Sequence, residues 1–197
     1  WTGVRPVAWP GNGVRDRRPS CALGHSDVGR YAILRSVLTP VIATLVYVMS
    51  LDRSRVLMLH RNKRADDIHY GKYNGLGGKV EPGEDVVSGA IREVAEESGL
   101  VVTAISLRGT VSWPGFGPQG QDWFGFIFRV DAFTGTPHGG GPEGTLEWVP
   151  VADLPTLPMW ESDHEWLPMV FDDDPRTFHG VMPYQNGKMV SWSYHRV

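Results

Sequence analysis

The sequence predicts an α+β fold, a sandwich of sheet and helices, on three observations. Runs of β-branched and aromatic residues dominate, in the order strands, helix, strands, helix, strand. No βα unit repeats, and no period of roughly 20 to 50 residues recurs. Apolar residues make up 41% of the 197 positions against 21% charged, the balance of one globular domain with a sizeable core.

Residues 1–36 are rich in Gly, Pro and Arg and lack both strand and helix periodicity, so they are expected to form an extension outside a folded domain spanning 37–197. Trp1, Val7 and Trp9 are the anchors such a segment would use if it packed as an ordered arm. The first methionine, Met49, falls inside the first clear strand pattern, so a natural start near Leu38 is reasonable. Val41–Met49 and Arg55–Arg61 are apolar, β-branched runs joined by Ser50–Ser54, a hairpin-like pair of strands. A Gly-rich loop covers Gly71–Gly83. Asp85–Ser98 has a helical pattern, with acidic residues at its start, Val86, Val87, Ala90, Ile91 and Val94 on one face, and Gly99 as a C-terminal stop. Val101–Trp113 and Asp122–Phe133 are long strand patterns around a Pro/Gly loop, and Leu146–Pro150 is a short one. Asp163–Phe171 is expected to be helical and Lys188–Val197 to be a last strand.

No stretch approaches the roughly 18 uninterrupted apolar residues of a membrane-spanning helix. No basic-then-apolar segment opens the chain as a secretory signal would, and the single cysteine, Cys21, cannot build a disulfide framework, so a soluble, cytoplasmic protein is expected. Nineteen Lys and Arg against 22 Asp and Glu give a net charge of -3, without the basic excess that duplex nucleic acid demands. A nucleotide ligand would therefore be a free one. Gly115–Gly120 matches the GxGxxG dinucleotide fingerprint, but a strand pattern follows it and Pro118 spoils an amide-lined helix start, so a hairpin loop is expected. None of the seven histidines stands at metal spacing with a cysteine.

The chemistry concentrates in the glycine loop and the helix after it. Gly78, five residues, Glu84, seven residues, Arg92-Glu93-Val94, one residue, Glu96-Glu97, one residue, Gly99-Leu100 form one extended pattern. Its chance occurrence is on the order of one in ten million, so composition does not explain it. Glu93, Glu96 and Glu97 stand at i, i+3 and i+4, which brings their carboxylates to one helix face, where like charges repel unless a cation lies between them. Hard oxygen ligands suit Mg²⁺ or Mn²⁺, ions that bridge to phosphate oxygens and so point to a polyphosphate substrate. Gly75, Gly77 and Gly78 let a ligand approach the backbone closely. Arg92 can hold Glu84 or Glu93 through a forked pair. A solvated acidic face is the bland alternative, and the glycine loop argues against it.

This pattern is a complete Nudix box, and the likeness extends from about Thr39 to Val197. It is carried by Gly71–Glu84, Ile91–Leu100, Gly135–Pro137, Pro142–Pro155, Met159–Pro168 and Phe178–Gly180. The chain resembles the Nudix hydrolases, most of all their MutT-type branch acting on oxidised purine nucleoside triphosphates. The resemblance implies an α/β/α sandwich on a mixed sheet, attack of water within the polyphosphate, and release of a nucleoside monophosphate and pyrophosphate. It assigns Glu93, Glu96 and Glu97 as metal ligands and base, Gly77 or Gly78 as a carbonyl ligand, and Glu143 as a remote carboxylate ligand. It also places Asn74 on the purine edge, Trp160 as the stacking indole, and Trp113 and Asp163 in the pocket. Human-type members carry two aspartates after the stacking Trp; here the first is Ser162, which with Glu165 also matches a capping box. Trp160, close to Pro158, would alternatively be plain core.

The implied function is Mg²⁺-dependent cleavage of free, oxidised purine nucleoside triphosphates by a monomer or homodimer, away from membranes. Two alternatives stand beside it: the same chemistry on a dinucleoside polyphosphate or nucleotide sugar, and a non-catalytic nucleotide-sensing module. The last predicts broken glutamates, and none is broken.

Overall fold

A computed structural model describes residues 38–197; the expected extension over 1–36 and Cys21 lie outside the described residues. The first strand, β1 (Val41–Met49), turns through a loop over 50–54 into an antiparallel β2 (Arg55–His60). Within the glycine loop a two-residue β3 (Tyr73–Asn74) pairs with β2, and bridges from Leu76 and Lys79 tie the rest of the loop to β1. Helix α1 (Val86–Ser98) follows, then β4 (Val101–Trp113), β5 (Trp123–Thr134) and β6 (Thr145–Pro150). Two single turns, α2 (Asp163–Trp166) and α3 (Pro168–Phe171), precede β7 (Phe178–Val181), β8 (Tyr184–Gln185), β9 (Lys188–Met189) and β10 (Ser193–Arg196).

Eight strands form one mixed sheet in the order β10-β7-β4-β5-β1-β2-β3, with β6 also on β2. The pairs β1–β5 and β4–β7 are parallel; the other ladders of this sheet are antiparallel. The period of two along β1 explains the layering. Val46 and Val48 enter one core with Leu57, Ala90, Val94 and Phe128, beneath α1. Tyr47 and Met49 enter the other with Met58, Val111, Trp166, Val170 and Phe178, beneath α2 and α3. Both faces of the sheet are therefore covered, as an α/β/α sandwich requires.

Three expectations need correction. Val87 and Ile91 are exposed on α1, and the buried face is Gly89, Ala90, Val94 and Ser98, because a narrower stripe suffices against the sheet. The helix over 163–171 is interrupted at Leu167, since Pro168 has no N–H to continue the ladder. The last strand is split: Lys188–Met189 pairs with β8 in a separate hairpin closed by Val190 N–H to Pro183 O (2.9 Å), and only Ser193–Arg196 joins the main sheet. The GxGxxG segment is the loop between antiparallel β4 and β5, with a 3-10 turn at Pro118–Gly120. Among the described residues no helix is long and apolar enough to cross a membrane.

Candidate active site

Helix α1 is fixed at both ends by its own sequence. The Asp85 carboxylate accepts from Val87 N–H (2.8 Å), Ser88 N–H (3.0 Å) and the Ser88 hydroxyl (2.7 Å). Gly99, at φ +75°, closes the other end with its N–H on Ala95 O. That frame aims Glu93 and Glu97 at the glycine loop. Glu97 accepts the Gly77 N–H at 2.8 Å. Glu93 lies so close to Gly78 that a Cβ there would meet its Oε1 at 2.4 Å. Gly77 itself has φ +130°, and a Cβ would stand 2.2 Å from the Thr44 carbonyl of β1, so only glycine fits. The Gly78 carbonyl accepts from Thr44 N–H (2.8 Å), whereas among the described residues nothing donates to the Gly77 carbonyl.

Arg92 organises the acidic face. Its guanidinium forks onto Glu84 (2.8 and 3.1 Å) and its other terminal nitrogen reaches Glu93 (2.9 Å) and Glu96 (3.2 Å). The cation between Glu93 and Glu96 is thus this arginine, and Glu96 points outward with its side chain 60% exposed. The three carboxylates do not converge as the i, i+3, i+4 spacing suggests, and among the described residues no three acidic, His or Cys side chains form a ready-made metal cluster. Burial pushes the Glu97 carboxyl up to about 7, with Glu93 and Glu143 adding to the rise and the Gly77 N–H opposing it. Burial raises Glu93 too, against the pull of Arg92. Glu143 stands within electrostatic reach of Glu97 but is hydrogen-bonded to Arg61 at 2.6 Å. Glu93 and Glu97 close on the glycine loop and, with the undonated Gly77 carbonyl, are hard oxygen donors of the type a divalent cation takes.

A second cluster gathers on the α2–α3 side of the sheet. Phe116 meets Trp113 (6.4 Å between centroids), Trp123 (6.4 Å), Trp160 (6.0 Å) and Tyr184 (5.0 Å), so Trp113 and Trp160 belong to one aromatic group. The Trp160 indole N–H donates to His69 Nδ1 (2.8 Å), and Lys72 Nζ lies 4.8 Å from its ring centre. Asp163 follows three residues later, raised to about 7 by burial, with the Ser162 hydroxyl and Lys72 acting the other way. Ser162 has helical dihedrals and makes no capping bond, so the capping box is not formed. Asn74 sits on β3, whose Tyr73 N–H bonds Pro158 O (2.8 Å), two residues before Trp160; its carboxamide oxygen is buried without a partner. No hydrogen bond joins Asn74 to Trp160 or Asp163 among the described residues. A hollow of about 320 Å³ is walled by Trp160, Glu161, Ser162, Tyr184, Lys188 and Met189, and Asn74, Trp113 and Asp163 do not line it. Sequence reasoning missed Phe116, Trp123, Tyr184, His69 and Lys72; only the aromatics flanking the GxGxxG segment offered a signal.

The sequence model of the family described as NUDIX domain matches residues 39–170. The chain is 33% identical over 156 residues to the oxidized purine nucleoside triphosphate hydrolase of Mus musculus, covering 78% of this chain and 94% of that protein. It is 34% identical over 103 residues to the ADP-ribose pyrophosphatase of Methanocaldococcus jannaschii, covering 52% of this chain and 59% of the relative. The crystal structure of the Mutator MutT protein from Bacillus halodurans aligns with a TM-score of 0.67 at 28% identity, over 78% of this chain and 97% of that one.

Proposed function

Since the chain belongs to the NUDIX family, as a hydrolase of its MutT type, we propose that it converts free, oxidised purine nucleoside triphosphates to the monophosphate and pyrophosphate. In this reading the aromatic group with Trp160 receives the base, and α1 with the glycine loop receives the polyphosphate. Nudix hydrolases work with divalent metal ions; Glu93, Glu97 and the Gly77 carbonyl would hold Mg²⁺ here, with Glu96 and Glu143 completing the set after release from Arg92 and Arg61. A divalent ion held there would supply charge neutralisation and acidify a water bound to it. A bond forms between a water oxygen and phosphorus, the bridging P–O bond breaks, and the water proton passes to a carboxylate of α1. Arg92 fixes that helix face and neutralises part of its charge.

The observation that carries the purine reading is the buried, unpartnered carboxamide oxygen of Asn74 beside the Trp160 segment. It can accept from a purine N–H, and a site built on such a bond discriminates strongly against bases that cannot make it. The test is pyrophosphate and monophosphate release from 8-oxo-dGTP, dGTP, dCTP, a dinucleoside polyphosphate and ADP-ribose with Mg²⁺. The oxidised purine should show the highest kcat/KM, and Asn74→Ala should flatten that ranking. A dinucleotide or ADP-ribose turned over better than 8-oxo-dGTP would replace this reading.

A further inference from the structure

The loop between β2 and β3 reaches across to Trp160 and grips it by the edge. The indole N–H can only donate, and its acceptor is His69 Nδ1 at 2.8 Å, with the two rings 5.6 Å apart at 84°. This hydrogen bond lies along the N–H direction in the indole plane, so it restrains ring rotation without covering a stacking face. His69 is itself held: its backbone N–H donates to Asp67 (3.0 Å), Asp67 accepts from Arg61 Nε (3.1 Å), and Arg61 reaches Glu143 (2.6 Å). An indole held this way is already oriented for a ligand, which spares the ordering cost on binding.

We infer that His69 is a positioning residue for base recognition, fixing through its Nδ1 the indole plane on which the nucleobase stacks. This rests on the stacking role proposed above for Trp160. Because replacing the ring removes its bond to the indole and keeps the backbone N–H on Asp67 that leads to Arg61 and Glu143, the loss should appear in KM and spare kcat.

A double-mutant cycle tests it, with KM and kcat measured on the best purine triphosphate. His69→Phe should raise KM about five- to tenfold, the range for one unmade hydrogen bond, and His69→Gln, whose carbonyl can accept the indole N–H, should return to within about twofold of wild type. Trp160→Phe keeps an aromatic ring but has no N–H; in that background His69→Phe should add nothing. His69→Ala enters the same cycle where Phe lowers the melting temperature. An unchanged KM in His69→Phe, a rise that persists in full in the Trp160→Phe background, or a Gln variant as impaired as Phe would each overturn the inference. Trp160→Ala separates the two claims. An unchanged KM there removes the stacking role itself, whereas a raised KM there beside a normal His69→Phe removes only the role of His69.

Discussion

At Glu97 two forces oppose each other: burial disfavours its charge, and the Gly77 N–H favours it. Glu97→Gln keeps the shape and an acceptor for that N–H but deletes the charge, so kcat should fall roughly 100- to 10,000-fold with an unaltered circular dichroism spectrum. A kcat within tenfold of wild type would place the reacting centre elsewhere. Asp163 gives a prediction in pH. Its carboxyl is raised from 3.8 to about 7 in the folded chain, so the unfolded chain releases the proton near pH 4 while the folded one holds it to about 7. Stability from this group is therefore present below that window and is lost as pH rises through it. Asp163→Asn removes the titration; the melting temperature of wild type should drop relative to the variant between about pH 5 and pH 8. An equal difference at both pH values would show that Asp163 is ionised throughout.

The glycine loop and α1 form a joint in which two adjacent glycines do different work. Gly77→Ala sets a methyl against the β1 backbone at a positive φ, which should cost about 2–4 kcal/mol, seen as a fall of about 5–15 °C in Tm. Gly78→Ala meets first the carboxylate end of Glu93, so Tm should stay within about 3 °C while kcat falls roughly tenfold or more as that carboxylate is displaced. Equal Tm losses in both would contradict this division. These elements were legible in the sequence because their signals are local: a capped helix of fixed spacing, a glycine run, and the apolar, β-branched runs of β1, β2, β4, β5 and β6. What escaped was of two kinds. Short pieces such as β3, β7 and the β8–β9 hairpin carry too few residues for a period to show, and Pro168 interrupts a helical pattern that was otherwise continuous. Contacts between distant loops were the other: His69 and Trp160 lie 91 residues apart, and Arg61 and Glu143 lie 82 apart, with no pattern linking them. The glutamate spacing and a pairing of Arg92 with Glu84 or Glu93 were visible, but the reach of the same guanidinium to Glu96 became apparent only in three dimensions.

In the molecule as a whole, residues 1–36 carry no periodic apolar face to contribute to a core. A chain beginning at residue 37 should therefore keep kcat/KM within about twofold and Tm within about 5 °C of the full chain; a larger loss would show that residues 1–36 pack against it. Beginning at Met49 should abolish soluble expression, because β1 lies between β5 and β2 and its removal leaves the sheet without its middle. The position of β1 also bears on how the chain acquires this architecture. Its parallel partner is a strand about 80 residues later, so this apolar run cannot complete its ladders until most of the domain has been synthesised. Until then VIATLVYVM is a sticky, unpaired segment of a nascent polypeptide. High contact order of this kind should place refolding in the range of about milliseconds to seconds, and leaves β1 as the segment a nascent chain has most need to shield.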